Sequence, residues 1–339
     1  MKNSKFIIST DPEPTQLLEG EGDSAETGPD AELRELVVGA AGHGERLDRA
    51  LVALVPEFSR SYLQQLIEAG AVKINGAVMH KAAARLKAGD SGTVELRPTP
   101  QSQAFKPEPM PLDVVFEDAH LLVINKPAGL VVHPAPGNWG GTLLNGLLSR
   151  DPLAANMPRA GIVHRLDKDT SGLMVVARTR GAMDALVRMI AAREVSRQYL
   201  ALAHGVWVGA RSRQVDSAIG RDPRNRLRMA VVDLTRQSGK TAGTRFDLIE
   251  NAAAGCWLNC TLQTGRTHQI RVHLASIGHP LVADEVYGGA PAAGMARQAL
   301  HAEKLAFAHP VTGEALAFRA PLPADMAQAL AQWGLYNRS

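Results

Sequence analysis

The sequence is poor in the features that mark several large classes of protein. Only two of its 339 residues are cysteines, Cys256 and Cys260, which is too few for a disulfide framework. No apolar run approaches the roughly 20 residues that a membrane-spanning helix needs. The first residues also lack the apolar segment and small-residue cleavage site of a secretion signal. We therefore expect a soluble, cytoplasmic protein that has no membrane partner.

Motifs for a nucleotide cofactor, a serine hydrolase or a metal are missing as well. The sequence has no GxxxxGK(S/T) loop, no glycine-rich dinucleotide fingerprint and no GxSxG elbow. Cys256 and Cys260 lie in an alternating strand pattern, so both side chains are expected to face the core. The spacing of His268 and His273 does not align them on one helix face. Neither pair is spaced like metal ligands, so we expect no metal.

Charge is distributed unevenly along the chain. The formal net charge is +3, but residues 1–40 hold nine acidic and three basic side chains, so the remainder carries +9. The densest basic stretch, residues 211–245, contains nine Lys or Arg and three Asp. A basic body favours an anionic partner, and nucleic acid is the first candidate. An ordinary solvated surface is the alternative, and it predicts little dependence of binding on salt.

Composition and periodicity divide the chain into four segments. Residues 1–40 are acidic and poor in large apolar side chains, which predicts a disordered tail. Residues 41–98 are predicted to form a small α+β domain, and the proline-rich residues 99–113 a linker. In residues 114–335 the predicted strands outnumber the helices and do not alternate with them. This order predicts an α+β domain with a mixed, largely antiparallel sheet.

The first predicted domain resembles the alpha-L RNA-binding module. Leucines recur at helical spacing over residues 47–54, and a second helix is predicted between Ser59 and Gly70. A hairpin turn is predicted at Asn75-Gly76. The resemblance implies that basic side chains of this module contact RNA phosphates, namely Arg46, Arg49, Arg60 and Lys73.

The stretch GIVHRLDKDTSG, residues 161–172, places charged side chains between two apolar runs. We predict a strand, IVHRLD, a polar turn and a second strand, LMVVAR, with Asp167 at the end of the first strand. Arg165 and Lys168 favour the charged form of this carboxylate, which can act as a nucleophile or as a base. Asp169 is expected to cap the turn. From these residues alone, a second interpretation stays open, in which the motif is a structural hairpin stabilised by salt bridges.

Five segments in a fixed order resemble the RluA-type RNA pseudouridine synthases. They are NKPAGLVVHP at 125–134, GIVHRLDKDTSGLMVVA at 161–177, RQYLALAHG at 197–205, TGRTHQIRVHLASIGHPLVAD at 264–284 and RQALHAEKLAFAHPVTGE at 297–314. The resemblance implies a pseudouridine synthase catalytic domain behind the alpha-L module. It also implies an enzyme that isomerises uridine in RNA without a cofactor.

The resemblance also assigns roles to individual side chains. It implies that Asp167 acts at the ribose as nucleophile or base, and that Arg271 is the ion-pair partner of this carboxylate. Tyr199 is expected to belong to the active site, where its ring stacks on the uracil and its hydroxyl forms a hydrogen bond, and Leu274 is expected to line the pocket. Taken alone, a tyrosine in a strand is usually a core residue. Arg165 is expected to enter the space in the RNA that the everted uridine leaves.

The implied substrate is bacterial large-subunit ribosomal RNA or a pre-ribosomal particle, at the clustered uridines of the stem-loop that faces the small subunit. We expect the enzyme to act as a monomer. Further RNA contacts are expected from the basic stretch, at Arg224, Arg226 and Arg228. Three alternatives stay open: another RNA target such as tRNA, a catalytically silent RNA-binding assembly factor, and a metal-dependent hydrolase that uses Asp167 and Asp169.

Overall fold

A computed structural model of the chain describes residues 32–97, 99, 104–135, 137–225 and 227–336. The chain forms two compact units, Met1–Ala104 and Phe105–Ser339. Most of the predicted acidic tail, like Arg226, lies outside the described residues. Residues 32–37, which composition assigns to that tail, instead form a strand, because their backbone pairs with another strand and Leu36 enters the core. Among the described residues, no helix is both long enough and apolar enough to cross a membrane.

The N-terminal unit packs two helices on a four-stranded antiparallel sheet of order β1-β4-β2-β3. Its elements are β1 (Glu32–Val37), α1 (Leu47–Leu54), α2 (Arg60–Glu68), β2 (Val72–Ile74), β3 (Ala77–Val78) and β4 (Ser91–Leu96). The predicted helices are confirmed, and the hydroxyl of Ser59 accepts a hydrogen bond from the first turn of α2. The predicted hairpin turn is also confirmed, since Asn75 and Gly76 have φ of +48° and +78°.

A buried carboxylate in the first turn of α1, Asp48, ties the two helices together. Arg46 and Arg60 each donate two hydrogen bonds to it at 2.7–3.1 Å, and Gln64 donates another at 2.7 Å. These donors, led by Arg46, outweigh the burial penalty and hold the pKa of Asp48 well below its usual range. Two of the arginines predicted to contact RNA therefore also have a structural role in this unit.

The C-terminal unit is built on a large mixed sheet. Its strands are β5 (Val114–Glu117), β6 (Leu121–Lys126), β7 (Ser171–Ala177), β8 (Ser196–His204), β9 (Ser212–Asp216), β10 (Ile219–Arg221), β11 (Met229–Val231), β12 (Gly239–Lys240), β13 (Gly243–Asn251), β14 (Gly255–Leu262), β15 (Leu300–Ala308) and β16 (Ala315–Arg319). Its helices are α3 (Leu143–Arg150), α4 (Arg180–Ala191), α5 (Gln269–Ser276) and α6 (Ala324–Gln332).

Over the described ranges, nine strands join in the order β5-β6-β7-β15-β8-β14-β13-β9, with β16 paired to β15. The pairing of β7 with β15 is parallel, whereas the other neighbours in this sheet run antiparallel. Strands β10, β11 and β12 form a separate small sheet. The predicted α+β class with a mixed, largely antiparallel sheet is confirmed.

Both faces of the centre of the large sheet are covered. All seven residues of β7 are buried, as expected for a strand between two layers. Met174 faces the core that contains the leucines of α3, whereas Val175 faces the core that contains Leu186 of α4. Cys256 and Cys260 are both buried in the first of these cores, which confirms their predicted orientation.

The later half of the predicted linker packs against the C-terminal unit. The side chain of Asn145 donates a hydrogen bond to the carbonyl of Lys106 at 2.8 Å. The main-chain N–H of Gly141 donates to a carboxylate oxygen of Glu108 at 2.7 Å. These bonds attach Lys106 and Glu108 to the start of α3, so this part of the predicted linker belongs to the C-terminal unit.

We expect Asp48→Asn to lower the free energy of unfolding of the N-terminal unit by about 2 kcal/mol at pH 7, because it replaces the charged acceptor of two arginines by a neutral amide with one acceptor oxygen. The wild-type carboxylate has a lowered folded-state pKa, so its stabilisation is complete above the unfolded-state value and is lost as the pH falls below about 4. The difference between wild type and variant should therefore shrink toward pH 3.

Native-state hydrogen exchange in urea over peptides from α1 and α2 of the full chain measures this difference. Glu68→Gln, at an exposed carboxylate of α2, is the matched control and should change stability by less than about 0.5 kcal/mol. An Asp48→Asn protein as stable as the control at pH 7 would contradict the assignment.

Candidate active site

The segment that leads into β7 is a loop, not the predicted strand. Ile162 forms one isolated bridge to Val176, and the chain then leaves the sheet. The main-chain N–H of Val175 donates to Nε2 of His164 at 3.0 Å, so a side chain supplies the pairing that a strand would give. Burial, together with a nearby arginine, lowers the pKa of His164 to about 3, which keeps the ring neutral and able to accept.

A buried lysine holds the main chain of this loop. Lys126 is 1% exposed, and its ammonium donates to the carbonyls of Pro127, Leu130 and Lys168 at 2.8–2.9 Å. Burial lowers the pKa of Lys126 to about 8, so the group is still mostly charged at neutral pH. The lysine thereby joins the end of β6 to the loop through main-chain carbonyl groups.

The turn that ends the loop is closed by main-chain atoms. The N–H of Thr170 donates to the carbonyl of Asp167 at 3.1 Å, and Arg297 donates to the carbonyl of Asp169 at 2.9 Å. The turn is therefore held differently from the expected side-chain cap. In the described part of the chain, no three His, Cys, Asp or Glu side chains are grouped as metal ligands.

The carboxylate of Asp167 pairs with Arg271, as the resemblance implies. Arg271 Nη1 lies 3.1 Å from Asp167 Oδ2, and the same guanidinium donates to Asp284 through Nε and Nη2 at 2.7 and 2.8 Å. Arg271 and Asp284 are buried, whereas the Asp167 side chain is 15% exposed. Burial opposes the charge on Arg271, but the two carboxylates, Asp284 first, outweigh it and raise its pKa.

Asp284 was missed by the sequence reasoning. It follows the apolar run LVA directly and precedes a second acidic residue, Glu285. Its place at the end of that run is the signal that would have pointed to a buried partner. Asp284 accepts hydrogen bonds from two nitrogens of Arg271 and thereby fixes the plane of the guanidinium. The remaining nitrogen, Nη1, is directed at Asp167.

The aromatic ring of Tyr287 lies against the flat face of the Arg271 guanidinium, with 5.0 Å between the guanidinium carbon and the ring centroid. The Tyr287 hydroxyl accepts from the N–H of Met229 at 3.0 Å and lies 2.8 Å from Nδ1 of His268. His268 precedes α5 with φ of +56°, and its Nε2 lies 3.8 Å from Asp167 Oδ1. Burial lowers the pKa of His268 despite the nearby carboxylate, so this ring is neutral.

Tyr199 and Arg197 project from the same face of β8 into the same cleft, because they are two residues apart in a strand. Tyr199 is 5% exposed. Burial raises the pKa of Tyr199 to about 12, although the charge of Arg197 offsets part of this effect. The phenol is therefore protonated at neutral pH and offers an aromatic face and a neutral hydroxyl.

These side chains line an open cleft of about 570 Å³, within the range of small-molecule sites. Asp167, Tyr199 and Arg271 all lie in its wall. Exposed arginines are placed around it, namely Arg159, Arg165 and Arg193. The cleft therefore presents one carboxylate within cationic surroundings, which suits a polyanionic substrate.

Helix α5 keeps one predicted residue away from the cleft. Leu274 is fully buried in the core and is not part of the cleft wall, in contrast to the expectation. Ile270 lies one turn earlier on the same helix face and does line the cleft. An apolar residue of α5 thus contacts this space, but it is four residues before the expected position.

The remaining predicted RNA contacts lie on exposed surfaces or in ion pairs. Arg49 and Lys73 of the N-terminal unit are exposed. In the C-terminal unit, Arg224 is exposed in the connection between β10 and β11. Arg228 donates to the carboxylate of Asp222 at 2.7 Å, which holds that connection together.

Two family models match the chain. The RNA pseudouridylate synthase family matches residues 120–276, a range that contains Asp167, Tyr199 and Arg271, and the S4 domain matches residues 45–91. A solved structure of human RNA pseudouridylate synthase domain containing 1 is 28% identical, with a TM-score of 0.50, and the match covers 63% of this chain and 86% of that one. Human RNA pseudouridylate synthase domain containing 4 has the same fold, with a TM-score of 0.52 over 66% and 95% of the two chains at 23% identity.

Curated relatives match most of the sequence. The ribosomal large subunit pseudouridine synthase D of Neisseria meningitidis serogroup B is 48% identical over 296 residues, which is 84% of this chain and 77% of the relative. The protein of the same name from Nitrosomonas europaea is 49% identical over 85% of this chain and 84% of its own. That of Escherichia coli is 43% identical over 85% and 90%. With this identity over most of both sequences, the chain belongs to the RNA pseudouridylate synthase family of enzymes and carries an S4 domain.

Proposed function

We propose that this enzyme isomerises uridines to pseudouridine in bacterial large-subunit ribosomal RNA, at the clustered uridines of the stem-loop that faces the small subunit. The relatives named for the ribosomal large subunit, at 43–49% identity, support this substrate. The observation that carries the proposed chemistry is the Asp167–Arg271 ion pair in the wall of a cleft surrounded by arginines.

The reaction needs one bond to break and another to form. The bond from ribose C1′ to N1 breaks, the uracil turns over, and C1′ bonds to C5 while a proton leaves C5 and N1 gains one. No electrons are gained or lost overall, so acid–base and nucleophilic groups of the protein suffice and no cofactor is required. Asp167 is the group that acts at the ribose, as nucleophile at C1′ or as base.

The target uridine must leave its stack before Asp167 reaches the ribose, which costs a few kcal/mol. Arg165 lies two residues before Asp167 on the same loop and is exposed, so its planar guanidinium stacks in the space that the uridine leaves. Tyr199 then provides the stacking surface for the everted base, and Ile270 provides apolar contact.

RNA is also held outside the cleft. The exposed basic side chains of the N-terminal S4 domain and of the connection between β10 and β11 contact phosphates, which orients the RNA without reading its sequence. Arg46 and Arg60 keep part of each guanidinium exposed beside Asp48 and add to this surface. The enzyme acts as a cytoplasmic monomer.

We expect Asp167→Asn to slow the release of tritium from C5 of labelled uridine in large-subunit ribosomal RNA by at least about 1,000-fold, because the amide cannot act as nucleophile or base. RNA affinity should change little, since the substitution removes no cation. Asp169→Asn is the matched control: its main-chain carbonyl, not its side chain, is held by Arg297.

Equal release by wild type and Asp167→Asn would overturn the assignment of the carboxylate. No release by the wild type on any ribosomal RNA, with intact RNA binding, would favour the silent assembly factor. Release of tritium from tRNA but not from ribosomal RNA would favour tRNA as the substrate.

We expect Arg224→Gln to weaken RNA binding and to lower the slope of log Kd against log salt by about 0.7–0.9, since one phosphate contact is lost. Titration of RNA at several salt concentrations measures this slope. Arg188→Gln, at an exposed arginine of α4, is the control and should leave the slope unchanged. An unchanged slope in Arg224→Gln would show that this connection is ordinary solvated surface.

A further inference from the structure

Arg197 is a buried cation in the cleft wall that has no acceptor among the residues that the structure describes. It is 5% exposed, and no residue of the described chain forms a hydrogen bond or ion pair with its guanidinium. Its Nε is fully buried and unpaired. By contrast, the buried guanidinium of Arg271 is shared by two carboxylates. Because an unpaired buried charge is costly, a persistent one indicates a partner from outside the chain.

The loop opposite Arg197 is shaped to leave room for this guanidinium. A Cβ at Gly265 would lie 2.8 Å from Nη1 of Arg197, so any side chain there would displace it. Gly265 does not have a positive φ, so the backbone conformation does not demand glycine at this position. Both residues line the cleft together with Tyr199. The missing side chain at Gly265 therefore leaves space for the Arg197 guanidinium, and this space lies within the proposed substrate site.

The depth of Arg197 indicates which part of a nucleotide it meets. Phosphates are strongly hydrated, and the exposed arginines of the cleft, Arg159, Arg165 and Arg193, are available to them in solvent. Arg197 is buried beside Tyr199, the proposed stacking surface for the base. The acceptors that the base brings to such a depth are its two carbonyl oxygens, O2 and O4.

We propose that Arg197 donates a hydrogen bond to a carbonyl oxygen of the everted uracil and stabilises the negative charge that the base acquires. This inference rests on the proposed function. When the bond from C1′ to N1 breaks, its electron pair stays with the uracil, and the charge spreads over the ring and both oxygens. An electron pair at C5 then bonds to C1′, the C5 proton passes to solvent and N1 takes up a proton, so that the base is neutral again. Arg197 transfers no proton, since a guanidinium keeps its charge throughout.

The first test is a single-turnover measurement of tritium release at saturating enzyme. Arg197→Met should slow release by about 100-fold or more, the range found when a fixed donor to a developing anion is removed. Its affinity for RNA should stay within about threefold of wild type, because the lost contact is with the base. Arg188→Met makes the same change at an exposed arginine of α4 and should leave both quantities unchanged.

The second test pairs the protein variant with altered RNA. Substrates that carry 2-thiouridine or 4-thiouridine at the target replace one oxygen with sulfur, a weaker acceptor. One of the two should slow the wild type further than it slows Arg197→Met, and the identity of that analogue assigns the oxygen. If the Met variant does not fold, Arg197→Lys keeps the charge without the planar fork, and the same comparison applies.

Three results would overturn the inference. They are a rate within a few-fold of wild type, equal slowing of wild type and variant by both analogues, and a loss of RNA affinity with an unchanged rate at saturation, which marks a phosphate contact. Each is distinct from failure of the proposed function, in which the wild type itself releases no tritium.

Discussion

The active site depends on one guanidinium shared by two carboxylates. Asp284 accepts hydrogen bonds from Nε and Nη2 of Arg271, and the remaining nitrogen, Nη1, donates to Asp167. A single arginine that faced Asp167 alone would be free to rotate, whereas this one has its plane fixed from behind and its face covered by Tyr287. The position of the Asp167 carboxylate therefore depends on the buried Asp284 as well as on Arg271.

The topology explains how these groups meet. The loop with Asp167 precedes β7 and Tyr199 lies on β8, yet these strands are not neighbours. Strand β15, which follows both in the sequence, lies between them. It pairs with β7 only at Ser171 and Gly172, where a Cβ on the glycine would collide with the carbonyl of Ala302. The distance between the loop with Asp167 and the strand with Tyr199 thus depends on β15, a strand that lies near the end of the sequence.

Local signals in the sequence were sufficient for much of this architecture. Capping by Ser59 and the alternation that buries Cys256 are properties of short segments, and both were predicted. The errors concern partners distant in sequence. The strand predicted before Asp167 is absent because His164 bonds to β7 in its place, and no local pattern encodes that substitution. Likewise, the sequence pattern did not indicate that Arg46 also binds the buried Asp48.

The loop that carries Asp167 is fastened through carbonyl groups, at Lys168 by the buried Lys126 and at Asp169 by Arg297. Every amino acid has such a carbonyl, so these two bonds do not depend on which side chains stand at positions 168 and 169. Substitutions at those two positions therefore leave both anchors in place, and with them the main-chain position of Asp167.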